Sequence, residues 1–288
     1  MKYRNPPIPE GINVSDRHPL RELLSLAGGA LVLLVLLSWL MGQFGGRLAR
    51  LLPFEHEVAL APVSMLRSDA GPELQAYLER LSTRVSEQLD LPSGMQIHLN
   101  LDGGDTFNAF ATLGGNIVLY RGLLECLPHE NALVMLLAHE MAHVRHRDPI
   151  VGIGQGVAIQ ALIGLLIGDP SLAVLGGAGL YTQLHYTREM EREADTAALA
   201  AVQGVYGHIH GAEDLFRVIQ ARRENSGGGE MPAILNSHPL DRQRLAAIAD
   251  LARARGWSGA GQTTPLPRGF DAWMNDAAGR AAAVERQR

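Results

Sequence analysis

The chain is poor in cysteine and has no excess of basic charge. Its 288 residues include one cysteine, Cys126, so no disulfide can form within the chain, and the residue does not discriminate between oxidising and reducing compartments. Cys126 lies in an apolar run, and its expected role is packing in the core. The formal net charge is -5 and the isoelectric point is near 6.1, which argues against nucleic acid as a partner.

Residues 139 to 143 read HExxH within an apolar helical pattern. On an α-helix, His139 and His143 are one turn apart on the same face, so both imidazoles can reach one metal ion. Glu140 points beside that metal, where a carboxylate can take a proton from an attacking water, and is the candidate general base. Two histidines and a glutamate on a largely apolar helix are costly to bury without a cation. The pattern therefore predicts two metal ligands.

A catalytic zinc usually has three protein ligands and one open position. A third histidine at the HExxHxxGxxH spacing is absent, because that position holds Pro149. The alternative is a glutamate from a later helix, and residues 187 to 198 offer several acids. Glu191 shares a helical face with Asp195 and two alanines, which allow close approach to another helix. Glu191 is the predicted third ligand, and Asp195 is predicted to hold the distal nitrogen of a ligating histidine.

These motifs, in this order, resemble the gluzincin metallopeptidases of the CAAX prenyl endopeptidase, HtpX-like and Oma-like group, metallopeptidase family forty-eight. The resemblance covers about residues 70 to 250 and includes HExxH and the sequence REMEREAD around Glu191. Shorter matches flank the two helices: residues 108 to 111, Gly114-Gly115, residues 122 to 124, and Ser237-His238-Pro239 with Arg242. The resemblance implies a zinc-dependent endopeptidase, with one Zn²⁺ per chain, acting in membrane or envelope protein quality control.

The resemblance also points to two residues beyond the ligands. It places His238 near the metal and makes Arg242 a structural or substrate-positioning partner. His238 follows a glycine-rich run at residues 225 to 229, so its loop is able to move. Two roles are open for His238: a hydrogen-bond donor to the oxyanion of the tetrahedral intermediate, or a switch that occupies the open zinc position.

Residues 23 to 46 are 24 positions without a charge, long enough to cross a hydrocarbon core of about 30 Å. They predict an uncleaved transmembrane anchor in the lipid bilayer, after a polar tail at residues 1 to 22. A cleaved signal peptide is the rival, but the apolar run is longer than a typical signal core. Four basic residues precede the span and two follow it. The positive-inside bias favours a catalytic domain on the outer, periplasmic side of a bacterial inner membrane.

The remaining patterns predict an α+β fold that is mostly helical, a zincin-type metallopeptidase domain with a small β-sheet. The predicted organisation is a connector at residues 47 to 68, the metallopeptidase domain at residues 69 to 255, and a linker with a C-terminal helix at residues 256 to 288. Residues 150 to 186 form two uncharged halves broken at Asp169-Pro170, a pattern that favours a hairpin that packs on the domain or dips into the bilayer over two true spans.

The predicted function is that of a membrane-anchored zinc metalloendopeptidase that hydrolyses peptide bonds of protein or peptide substrates. Two alternatives stay open. One is a membrane-tethered chaperone or binding module with a structural or latched zinc site, which would show four fixed protein ligands. The other is a zinc hydrolase that acts on a non-peptide amide.

Overall fold

The computed structural model describes residues 19 to 61, 67 to 168, 186 to 225, 232 to 240 and 242 to 286. Most of the predicted N-terminal tail, part of the connector, the second half of the predicted hairpin and most of the glycine-rich run before His238 lie outside these ranges. The side chain of Arg242 also lies outside the described part of the chain.

Two helices begin the described chain. The first, α1 (Pro19–Ala49), contains the predicted anchor and leaves most of its apolar side chains exposed. The short α2 (Phe54–Ala59) follows. Among the described residues, Leu20–Ala49 and Asp148–Leu165 are long and apolar enough to cross a membrane by length and composition.

An amphipathic helix and a small sheet come next. Helix α3 (Pro72–Leu89) starts with a proline in its first turn and buries one leucine-rich face. The three strands are β1 (His98–Asp102), β2 (Ala109–Ala111) and β3 (Asn116–Tyr120). Their order is β1-β3-β2, with β3 parallel to β1 and antiparallel to β2. Strand β2 is thus an edge strand, and it packs against the helix that carries HExxH.

The HExxH helix is the centre of the core. After α4 (Arg121–Leu124), helix α5 (Glu130–His146) is buried along nearly its whole length. It ends at Arg147, whose φ of 60° is in the left-handed region. Helix α6 (Asp148–Ile167) starts immediately afterwards, so the direction of the chain changes within one residue.

The remaining described residues form five further helices: α7 (Arg188–Tyr206), α8 (Asp214–Asn225), α9 (Ile234–Ser237), α10 (Arg242–Arg255) and α11 (Phe270–Glu285). Helix α7 packs along α5, where Ala194 and Ala198 are fully buried and let the two backbones come close. The predicted fold class, mostly helical with a small sheet, is confirmed.

The segments that contain Cys126 and Thr264 have an exposure and contacts that the sequence did not predict. The prediction that Cys126 packs in the core is wrong, because Cys126 is exposed beyond the end of α4. Within the predicted C-terminal linker, Thr264 is hydrogen bonded to α5: Glu130 N donates to Thr264 O at 2.9 Å, and Thr264 N donates to Asn131 Oδ1 at 2.8 Å. The segment therefore caps the N-terminus of the HExxH helix.

Candidate metal centre

Two helices and one loop bring four metal-binding side chains together. Helix α5 presents His139 and His143, helix α7 presents Glu191, and the residue after α9 is His238. All four are buried, and one ligand atom from each lies within 4.8 Å of the others. Glu191 is in the first turn of α7, which is capped by Thr187, so packing α7 against α5 places its carboxylate over the histidine pair.

The four donor atoms point at a common position. Nε2 of His139 lies 3.1 Å from Nε2 of His143 and 3.2 Å from Nδ1 of His238. Glu191 Oε1 lies 2.9 Å from Nδ1 of His238 and 3.4 Å from Nε2 of His143. Donors bound to one zinc ion at about 2.1 Å in a tetrahedron are roughly 3.4 Å apart. The residues present therefore fit a zinc ion in both chemistry and spacing.

Each helix histidine has a carboxylate behind it. Asp195 Oδ1 lies 3.0 Å from Nδ1 of His139, and Asp148 Oδ2 lies 2.8 Å from Nδ1 of His143. Such a contact fixes the ring orientation and leaves Nε2 free to bind a metal. Asp195 thus lies where the sequence predicts it, whereas Asp148 was not predicted. Asp148 is reachable because Arg147 turns the chain at the junction of α5 and α6.

A buried arginine supports the two carboxylates from α7. Nε and Nη2 of Arg244 donate to the two oxygens of Asp195, each at 2.8 Å, and its Nη1 forms an ion pair with Glu191. Its guanidinium also lies over the ring of Phe216, 5.8 Å from the centroid. The family resemblance points to Arg242 for a supporting role, which stays a prediction because its side chain is not described; Arg244, two residues on, contacts the site among the described residues. A bidentate arginine holds a carboxylate in a fixed plane.

The surroundings shift the pKa values of these groups in opposite directions. Burial alone would lower the pKa of His139, but hydrogen bonds with Asp195 and Glu191 outweigh burial and raise it to about 10. Burial would raise the pKa of Glu191, but His238 and the helix histidines hold it well below its usual range. Burial would likewise raise the pKa of Asp195, but hydrogen bonds with His139 and Arg244 lower it. Glu191 and Asp195 are therefore charged at neutral pH, and a divalent cation can replace the proton on the histidines as their counter-charge.

Residues 72 to 252, more than half of the chain, match the model of peptidase family M48. The chain belongs to peptidase family M48. The resemblance seen in the sequence is confirmed, and with it the class of the family, which is that of metallopeptidases.

Individual relatives are about a quarter identical to the chain over the aligned residues. It is similar to the beta-barrel assembly-enhancing protease of Escherichia coli (strain K12), with 28% identity over 205 residues, which are 64% of this chain and 41% of that protein. It is also similar to the mitochondrial metalloendopeptidase OMA1 of Schizosaccharomyces pombe, with 27% identity over 178 residues, 58% of this chain and 51% of the relative. The chain spans less than half the length of the first of these relatives.

Glu140 lies next to the four donors of this M48 chain but is not one of them. It is fully buried, and neither carboxylate oxygen has a hydrogen-bond partner among the described residues. Oε1 lies 3.5 Å from Nε2 of His238. Glu140 also lines a pocket whose other walls are mainly apolar, from Leu136, Leu215, Phe216, Ile219, Ile234 and Leu240. A buried carboxylate without a partner is unfavourable, so this position is set up for a ligand or a water.

Tyr186 packs against the donor cluster, and the sequence did not single it out. Its ring stacks on His143 with centroids 3.9 Å apart, and its hydroxyl donates to Ala111 O of β2 at 3.0 Å. Its backbone N donates to Ser237 O, next to His238. No sequence motif marks Tyr186, because it acts through contacts with three separate segments.

Proposed function

We propose that this M48 chain is a zinc-dependent endopeptidase that hydrolyses peptide bonds of protein substrates. One observation carries the proposal: donors from two helices converge on one position, and beside them lies the buried carboxylate of Glu140, which has no hydrogen-bond partner among the described residues. His139, His143 and Glu191 would hold the zinc, one ion per chain. Asp195 and Asp148 would orient the histidines, and Arg244 would hold the carboxylates of Glu191 and Asp195.

The mechanism assigns the proton transfers to Glu140. When bound, zinc supplies Lewis acidity, which lowers the pKa of water to about 7 and polarises the scissile carbonyl. Glu140 takes the proton from the attacking water and delivers it to the leaving amine. Its burial and its lack of a partner favour this role, because neither oxygen is engaged elsewhere. The apolar side chains that line the small pocket beside Glu140 limit the access of competing water to this carboxylate.

Strand β2 is the proposed substrate-binding edge. An extended peptide can add to such an edge through backbone hydrogen bonds. In this conformation the edge is covered: Tyr186 donates to Ala111 O, and Ile234 N donates to Phe107 O, just before β2. The segment that ends in His238 must therefore move before a peptide can bind, and we infer that His238 is a latch on the zinc position.

Residues 23 to 46 are proposed to anchor the enzyme in a lipid bilayer. The distribution of basic residues supports a catalytic domain on the outer, periplasmic side of a bacterial inner membrane, where envelope protein quality control takes place. A topology reporter fused after residue 68 tests the orientation. Activity of a reporter that folds only outside the cytoplasm supports the proposal, and activity of a cytoplasm-specific reporter contradicts it.

Two glutamates of α7 give a matched test of the enzyme. Glu191 lies among the donors, whereas Glu189 is exposed and pairs with Arg192 at 2.6 Å. We expect purified full chain in detergent to contain one zinc and to cleave casein, and Glu191→Gln to lose both. Glu189→Gln should keep both. Retention of zinc and cleavage by Glu191→Gln would contradict the ligand set, and zinc content without any proteolysis would favour the chaperone alternative.

A further inference from the structure

Helix α6 has a surface that the metal centre does not explain. Residues 149 to 167 contain no charged side chain. Several apolar side chains of α6 face outward, among them Val157, Ile163 and Leu165, which is 79% exposed. In water such a surface is unfavourable by about 25 cal/mol for each square ångström of apolar area. The surface therefore needs a covering.

Helix α6 packs against α1 along a face of small residues. A Cβ on Gly42 would lie 3.5 Å from Ile159, a Cβ on Gly46 would lie 3.0 Å from Val151, and a Cβ on Gly154 would lie 2.6 Å from Ala49. The contacts of Gly42 with Ile159, of Gly45 with Ala158 and of Gly46 with Val151 rise along α1 and fall along α6, so the two helices are antiparallel. Backbones that approach through glycine and alanine are typical of helix pairs in membranes. The amide of Gln155 also faces this contact, at Gly46.

The two helices are fixed to the catalytic domain at the same end. Arg147, between α5 and α6, donates from Nε and Nη2 to Glu57 Oε2 at 3.1 and 2.7 Å, and from Nη1 to Arg50 O at 3.2 Å. The other oxygen of Glu57 accepts from Gly114 N at 3.3 Å. Asp148, the next residue, contacts His143. The helix pair and the metal centre therefore share one rigid junction.

The length of α6 and the positions of charged residues indicate what covers its apolar surface. The 20 residues of α6 are about 30 Å long at 1.5 Å per residue, the thickness of a hydrocarbon core. At the junction the chain carries Arg47, Arg50, Arg147 and Asp148, so charge begins where the helices meet the domain. Residues 170 to 184, through which the chain returns to Tyr186, contain no charged side chain either. A protein partner would require none of these three features.

We propose that α6 is a second lipid-facing helix, inserted in the bilayer beside α1. The occupant of its exposed face is the lipid acyl chain. Since Asp148 both begins α6 and contacts His143, the metal centre lies at the bilayer surface. This inference rests on the proposed membrane anchoring by α1, but it does not require the chain to be an active peptidase.

Fluorescence quenching in vesicles tests the proposal without reference to activity. Full-length protein carrying Cys126→Ser is reconstituted into phosphatidylethanolamine and phosphatidylglycerol vesicles. Single cysteines at Leu165 or Val157 carry a polarity-sensitive fluorophore, and lipids brominated on the acyl chain are the quencher. Leu33 of α1 is the positive control, and the exposed Ala76 of α3 is the negative control. We expect a loss of fluorescence at Leu165 and Val157 equal to that at Leu33, and none at Ala76.

Other outcomes of the quenching experiment would contradict the insertion of α6 in the bilayer. Probes on α6 that behave like Ala76 and react with a membrane-impermeant thiol reagent, while Leu33 is quenched, would overturn the inference and leave α1 as an anchor. Quenching at none of the three helix positions would reject the anchoring on which the inference rests. A disulfide between cysteines at Gly42 and Ile159, but not between cysteines at Gly28 and Ile159, would independently support the pairing, and its absence would contradict it.

Discussion

The two ends of α5 carry buried polar clusters that differ in one respect. At the N-terminal end, Glu130 accepts from Tyr77 at 3.0 Å, from Tyr206 at 2.9 Å and from Arg84 at 3.0 Å. Ten residues later, on the same helix, Glu140 is at least as deeply buried and has no hydrogen-bond partner for either oxygen among the described residues. One cluster is saturated by protein groups and the other is not.

A histidine–aspartate contact at each end of α5 shows the same difference between a saturated and an unsaturated polar group. His129 and Asp214 join at 2.8 Å near the N-terminal end, as His143 and Asp148 do at the C-terminal end. The second nitrogen of His129 accepts from Ala132 N and caps the helix, whereas the second nitrogen of His143 points at the other donors. Saturated polar groups stabilise a fold, and unsaturated ones mark a ligand position. The comparison makes four predictions, given in order of decreasing effect.

The largest effect is expected for Glu140→Gln. Loss of the general base should reduce casein cleavage by about 10²-fold to 10⁴-fold, while zinc content and thermal stability stay unchanged, because the carboxylate has no hydrogen-bond partner to lose. Turnover, zinc content and melting temperature are measured on the same preparation. A variant that keeps most of its turnover would remove Glu140 from the mechanism.

The second-largest effect is expected when the contact between Asp148 and His143 is changed, in comparison with the contact between Asp214 and His129. Asp148→Asn should weaken zinc binding by about 10-fold to 100-fold, as expected when the group that orients a ligating histidine is changed. Asp214→Asn is the matched control and should leave zinc affinity unchanged. Competition with a coloured chelator measures both. Equal zinc affinities in the two variants would show that Asp148 has no special relation to the metal.

The third-largest effect is expected for His238, whose side chain contacts the donor cluster at the catalytic end of α5. If His238 is a latch, His238→Ala should increase the initial rate of casein cleavage, because the zinc position and the edge of β2 become accessible. Ser237→Ala is the neighbouring control and should not change the rate. A large loss of activity in His238→Ala would instead identify a donor to the oxyanion.

The smallest effect on chemistry is expected for Glu130→Gln, the same substitution at the saturated end. It should lower the free energy of unfolding by about 2 kcal/mol, since it weakens charge-assisted hydrogen bonds to a buried carboxylate. Cleavage per folded molecule should not change. Denaturant unfolding of the detergent-solubilised chain and its specific activity are the two measurements. If Glu130→Gln instead lowered turnover without lowering stability, the polar clusters at the two ends of α5 would not differ in role.

Helical periodicity was sufficient to identify the residues of α5 and α7 that meet at the centre. His139, His143, Glu191 and Asp195 lie on the helix faces that their spacing predicts, and the structure brings them together. The same reasoning missed Asp148, because it lies five residues after His143 and across the break at Arg147, where helical spacing no longer applies. It also did not identify Arg244, whose contacts with Asp195 and Glu191 depend on how α10 packs against α7.

The sequence by itself determined the family, the fold class and the two helix faces that carry the metal-binding groups. Those properties depend on local backbone geometry, in which a spacing of four residues places two side chains on the same face. Only the tertiary structure decided that Asp148 contacts His143, that Arg244 holds Asp195 and Glu191, and that His238 enters the donor cluster. These contacts join residues far apart in the chain, so they depend on how helices and loops pack.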